Sequence, residues 1–97
     1  MIRSFGDDVT RAVFEGEPAR LLRRVPADIR ARAETKLDVL HEARSLDTVG
    51  AMPGTRLEQL QGPMAGYLSI RVNRQWRIVF QWDDGDAVEV RLLDYHE

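Results

Sequence analysis

The sequence has no cysteine, which excludes a disulfide scaffold, a thiolate nucleophile and a cysteine-based zinc site. It also lacks a long apolar run. No stretch approaches the roughly 20 residues that span a bilayer. The opening Met1-Ile2-Arg3-Ser4-Phe5 has no extended apolar centre of the kind a signal peptide carries. These absences lead us to expect a cytoplasmic chain with no membrane contact. Lysine is almost missing: of 14 basic residues only Lys36 is lysine, and the others are arginine. Arginine is the better phosphate reader, because its planar fork bonds two oxygens at once. A coding bias toward arginine and alanine explains the same composition equally well. The net charge of −2 gives no global sign of a nucleic-acid binder. What is present is ordinary: 97 residues, 43% hydrophobic and 31% charged, the dimensions of one domain (1–97) with one modest core.

Ile2 to Phe5 reads as a short first strand. A helix is expected from Asp7 or Asp8, with carboxylates at its positive end and Val9, Val13 and Phe14 on its apolar side. Gly16 and Pro18 interrupt it, and Arg20 to Arg24 forms another helical turn anchored by Leu21 and Leu22. The clearest helix begins at Pro26 and runs to about Ala43, with Ile29, Ala33, Leu37, Leu40 and Ala43 forming one apolar stripe. His41, on its last turn, is expected to meet the terminal carbonyls rather than to act in catalysis. Thr48 to Gly54 reads as a loop. Sheet follows: a short extended segment from Arg56 to Leu60, a turn at Gly62-Pro63, and strands over Tyr67 to Val72, Trp76 to Trp82 and Ala87 to about Leu93. The segment Asn73-Arg74-Gln75 connects two of them, and Asp83-Asp84-Gly85-Asp86 is a hairpin turn by composition. Alternation assigns Val88, Val90 and Leu92 to one face of the last strand and Ala87, Glu89 and Arg91 to the other. Helices first and a meander of strands last describe an α+β domain, its helices on one face of a mainly antiparallel sheet.

The second sheet face then carries Arg71, Arg77 and Arg91 from three successive strands, with Glu89 beside them. The last strand ends in Asp94, Tyr95 and His96. A solvated face and a polar tail account for these residues as they stand. They also form the set that metal-free RNA cleavage requires: groups to activate a ribose 2′-hydroxyl and protonate a departing 5′-oxygen, and cations to stabilise a charged phosphorane. Two distant histidines without the HExxH spacing give no metal site, and no glycine-rich loop matches a nucleotide fingerprint. Ser4, Ser45 and Ser69 stand in no nucleophile-elbow setting.

Four blocks, "MIRSF", "RLEQLQG", "GYLSIRVNRQWRIVFQW" and "LLDYH", resemble in that order the HigB-type toxins of the RelE/ParE superfamily, over nearly the whole chain. The resemblance implies the RelE-like fold and a ribosome-dependent mRNA endonuclease. Such an enzyme cuts in the A site by 2′-hydroxyl attack, without metal or cofactor. It also implies a cognate helix-turn-helix antitoxin, HigA-like, through which alone operator DNA is contacted. By position, Arg77 matches the family's phosphate-contacting arginine, and Asp94, Tyr95 and His96 match its C-terminal cluster. Glu58 and Gln61 stand where better-studied members carry a histidine and a lysine. Glu58 can act as a base, or pair with Arg56 or another arginine. Arg71, Arg91, Gln61 and Arg56 are further candidates for the RNA. Arg23 and Arg24, with Arg20, Arg30 and Arg32, can face ribosomal RNA or the antitoxin. Two alternatives stay open: a non-enzymatic inhibitor that binds DNA gyrase as ParE toxins do, and a weakly active toxin serving mainly as its antitoxin's partner.

Overall fold

In the computed structural model, which describes residues 1–95, the first helix starts where its carboxylates predict. The Asp7 side chain accepts the Thr10 N–H at 2.8 Å, satisfying one free donor at the start of α1 (Asp8–Glu15). Gly16 ends it at φ 79°, a left-handed conformation that glycine adopts without steric cost. A single turn, α2 (Ala19–Leu22), leads to α3 (Ala27–Glu42). Pro26 occupies the capping position just outside α3 instead of its first turn. The expected stripe of Ile29, Ala33, Leu37, Leu40 and Ala43 is buried throughout.

Two expectations for the following segment need correction. His41 does not meet the helix-end carbonyls: its Nδ1 accepts the Ile2 N–H at 3.1 Å, and its ring lies against Phe14. Thr48 to Gly54 is not all loop, because α4 (Leu46–Gly50) covers its first part. Ser45 caps that helix through the Thr48 N–H, and Val49 is fully buried. The glycines and proline read as breakers act only after it.

The strands β1 (Glu58–Gln59), β2 (Leu68–Arg71), β3 (Trp76–Asp83) and β4 (Asp86–Asp94) form one antiparallel sheet in sequence order, with a 3-10 turn, Gly62–Met64, between the first two. Asp84 and Gly85 join β3 to β4 at φ 50° and 82°, the positive pair that a tight two-residue hairpin demands. The helices cover one face. Ile70, Val72, Ile78, Phe80, Ala87, Val90 and Leu92 meet the α3 stripe there, and Trp76 and Trp82 close its ends.

Strict alternation fails in β4. Glu89, at φ 54°, forms a bulge opposite Phe80, so pairing moves by one residue between Val79–Arg91 and Gln81–Val88. Ala87 therefore joins Val90 and Leu92 in the core, and Val88 turns to the other face, the reverse of what was expected for both. The N-terminal segment stabilises the bulge. Ser4 accepts the Glu89 N–H through Oγ at 2.9 Å and the Val90 N–H through its carbonyl at 3.2 Å. Ile2 and Phe5 make isolated parallel bridges to Ala87 and Val90, so the expected first strand is an edge strap on β4.

Candidate active site

The site lies at the end of the sheet where β2 turns into β3, on the face away from the helices. Arg71 and Arg77 are direct cross-strand partners there, an arrangement that repels unless anions or other acceptors intervene. Arg56 and Arg74 join them around a cleft of about 320 Å³ lined by these four arginines. The segment before β1 is tied to this end: the Arg71 N–H donates to the Thr55 carbonyl at 2.6 Å. Arg56 has a left-handed backbone, φ 48°, and its carbonyl accepts a hydrogen bond from Arg77 Nη2 at 3.0 Å. Such strain in a non-glycine residue persists only where the surroundings hold it.

Arg77 is the most constrained cation of the four. Its side chain is 13% exposed, and Glu58 Oε1 lies 3.8 Å from Nη2. Its buried Nε has no hydrogen-bond partner among the described residues. The guanidinium is thus fixed on one side by a carbonyl and a carboxylate. The surrounding sheet face is less open than its polar sequence implied. Ser69 and Val79 are fully buried, beside the long arginine stems that the register places next to them.

The C-terminal residues reach the same end of the sheet through the β2–β3 connection. Asn73 Oδ1 accepts the N–H groups of Gln75 and Trp76 at 2.8 and 2.7 Å, which sets the turn. The Gln75 carbonyl accepts the Tyr95 N–H at 2.5 Å, and Gln75 Nε2 donates to Asp94 Oδ1 at 3.0 Å. Leu93 opposes Arg77, so alternation returns Tyr95 toward the arginine face, whereas Asp94, opposite Trp76, starts on the helix-side face and meets the turn at the sheet's end through Gln75. His96 lies outside the described residues.

The structure therefore brings together Arg56, Arg71 and Arg77, sets Glu58 against Arg77, and places Asp94 and Tyr95 at the adjoining turn. Other candidates lie apart. Arg91 starts on the same face, but its guanidinium stacks over Tyr67, 5.5 Å from the ring centre, and reaches Met64 Sδ at 4.0 Å. Its stem crosses Gly6 so closely that a Cβ there would lie 2.5 Å from it. Gln61 is exposed at the start of the 3-10 turn and does not line the cleft. Arg23 and Arg24 are exposed in the helical layer, on the other side of the sheet. Reasoning from sequence missed Arg74 and Gln75, which it treated only as a connection. An Asn followed by two long polar residues between strands was the available signal. Among the described residues no group of three His, Asp or Glu side chains converges as a metal site would.

The model of the HigB-like toxin family, described as the RelE-like toxin of the type II toxin–antitoxin system HigB, matches residues 3–96. The chain belongs to the HigB-like toxin family. This HigB-like toxin is 40% identical to "Toxin HigB-1" of Vibrio cholerae, over 100% of its own length and 99% of the relative's. It is 32% identical to "Endoribonuclease HigB" of Proteus vulgaris, over 99% and 100% of the two chains. Among solved structures it shares its fold with a chain of the YoeB–YefM complex from Staphylococcus aureus. The TM-score is 0.61 at 15% identity, covering 100% of this chain and 99% of that one. The HigB-like toxin thus has the α+β, RelE-like architecture that its sequence implied.

Proposed function

We propose that this toxin is an endoribonuclease that cuts mRNA in the ribosomal A site, with the four-arginine cleft holding the scissile phosphate. Its Proteus vulgaris relative is named an endoribonuclease. The observation that carries the reading is the convergence of Arg56, Arg71, Arg74 and Arg77 beside the turn that anchors Asp94 and Tyr95. In the reaction we envisage, the ribose 2′-oxygen attacks the adjacent phosphorus. The P–O5′ bond breaks, and the products are a 2′,3′-cyclic phosphate and a 5′-hydroxyl. Guanidinium groups aimed at the phosphorane oxygens stabilise charge that develops only in the transition state. Arg77, immobilised by the Arg56 carbonyl, does this with little reorganisation. Proton transfer falls to Tyr95 and His96, Asp94 orients them, and Glu58 is the rival base. Positioning of the substrate by the ribosome makes so small a catalytic set sufficient. A cognate HigA-like helix-turn-helix antitoxin neutralises the toxin and carries the contact with operator DNA.

Mapping mRNA 5′ ends in a translating extract tests this. Cuts within codons are expected with the native toxin, and none without ribosomes. Arg77→Ala is expected to lower cleavage by roughly 100-fold or more, the scale for loss of one oxyanion-stabilising donor. Growth arrest with no cuts, or full activity in a folded Arg77→Ala variant, refutes the reading and turns attention to a binding target such as gyrase.

A further inference from the structure

The arginine cleft is built from β2, β3 and the segment before β1, whereas Asp94 and Tyr95 arrive on β4. The β3–β4 ladder ends at the Trp76–Asp94 pair, and the chain beyond it frays unless tied down. Gln75 is placed to tie it down twice. Its backbone carbonyl receives the Tyr95 N–H, and its side-chain amide donates to Asp94 Oδ1. The turn beneath it is fixed independently by Asn73, so the Gln75 amide starts from a defined backbone. The residue before it, Arg74, lines the cleft. One three-residue connection therefore carries both a cation of the cleft and a donor to the carboxylate of the tail.

We infer that Gln75 is a positioning residue of the active edge, acting through Asp94: its backbone bond fixes the path of the tail and its amide fixes the carboxylate. The inference rests on the reading of Asp94 and Tyr95 as part of that edge. The two bonds have separable consequences. Replacing the side chain leaves the carbonyl, so the tail stays docked while the carboxylate loses the Gln75 N–H donor. A misplacement of about 1 Å in a catalytic group can lower a rate by roughly 100-fold without weakening substrate binding. Gln75 is exposed, so its amide serves no buried requirement of the fold.

The test is single-turnover mRNA cleavage on programmed ribosomes with the full-length toxin and five variants: Gln75→Ala, Gln75→Glu, Gln75→Lys, Asp94→Ala and Gln75→Ala/Asp94→Ala. We expect Gln75→Ala to reduce the rate constant about 10- to 100-fold, with half-saturation in ribosomes unchanged. Gln75→Glu, equal in size but without N–H donors, should be at least as slow. Gln75→Lys, which restores a donor, should recover most of the rate. The double variant should be no slower than Asp94→Ala, as two residues acting in series require. Hydrogen exchange at the Tyr95 amide should be unchanged in Gln75→Ala.

Native cleavage by Gln75→Ala overturns the inference while leaving the active-edge reading intact. A loss appearing only in half-saturation, additive losses in the double variant, or an exposed Tyr95 amide overturns it too, making Gln75 a binding or purely structural residue. Native cleavage by Asp94→Ala, by contrast, refutes the reading of the tail on which the inference stands.

Discussion

Glu58 carries two opposed chemical meanings, and its geometry separates them. Its carboxylate is 3.8 Å from Arg77 Nη2 and more than half exposed. With its carboxylate exposed and 3.8 Å away, the pair contributes only about 0–1 kcal/mol to stability, so the fold does not depend on it. Its larger effect is on the ligand: it occupies the side of Arg77 that a phosphate oxygen would otherwise share. As a counter-ion, Glu58 weakens phosphate binding. Glu58→Gln is then expected to tighten binding of an uncleavable RNA by roughly two- to fivefold, the equivalent of such a pair, and to preserve the cleavage rate. Unchanged binding with a cleavage rate lower by 100-fold or more would instead make Glu58 the general base. Filter binding and single-turnover cleavage on the same variant decide between them.

The outer edge of β4 shows how an element without regular pairing is kept from fraying or adding a foreign strand. Met1 and Ser4 carbonyls accept the N–H groups of Ala87 and Val90, and Ser4 Oγ accepts that of Glu89. Farther along, Thr10 Oγ1 of α1 accepts the Leu92 N–H at 2.7 Å. Edge N–H groups are aggregation templates when left exposed, and here the N-terminal strap and one helix consume them. Thr10 is fully buried, so its replacement leaves a backbone donor with no water to take. Thr10→Val, which keeps the shape, is expected to cost about 1–3 kcal/mol, read as a lower denaturant midpoint with an unchanged slope. Because Thr10 bonds β4 two residues before Asp94, the same variant should loosen the active edge before the rest of the sheet. Faster hydrogen exchange at Tyr95 than at Ile78 would show this.

Taken as a whole, the molecule separates its charges along the sheet. The arginines gather at the β2–β3 end, and Asp83, Asp84 and Asp86 gather at the β3–β4 hairpin. Eight residues of β3 divide the two ends, about 23 Å at the usual strand rise. That is well beyond a screening length of roughly 8 Å at physiological salt. The acidic end is also partly neutralised. Arg3 pairs with Asp83 and Asp86, and the terminal amine lies 3.3 Å from Asp86. The hydrogen bond to Asp83 holds the Arg3 guanidinium above its already high ordinary pKa. A net charge of −2 therefore says little about the potential an RNA meets at the cleft. Arg74 is exposed and lines that cleft, so Arg74→Ala should weaken RNA binding and reduce the salt slope by about 0.7, one phosphate's worth for a single strand. Asp84→Asn, at the far end, should leave both unchanged.

By itself the sequence determined most of the elements, α4 excepted, and the chemistry available to them. The stripe from Ile29 to Ala43, the alternation from Trp76 to Trp82 and the Asp84-Gly85 turn are local patterns, and local patterns are legible because each residue's fate depends on near neighbours. Arg77, Asp94 and Tyr95 stood out as candidates for a different reason: the motifs "QWRIVF" and "LLDYH" resemble those of a known family. Only the tertiary structure decided how these pieces meet. The bulge at Glu89 exchanged the faces of Ala87 and Val88 because Ser4, 85 residues away, accepts its N–H. Arg91 stays out of the cleft because Tyr67, Met64 and Gly6 offer its guanidinium and stem a closer fit. Gln75 gained its place only when β4 folded back beside its turn, and Arg74 when Arg56, Arg71 and Arg77 closed the cleft around it. Contacts between residues far apart in the chain leave no periodicity in it, so each of these outcomes belongs to the fold.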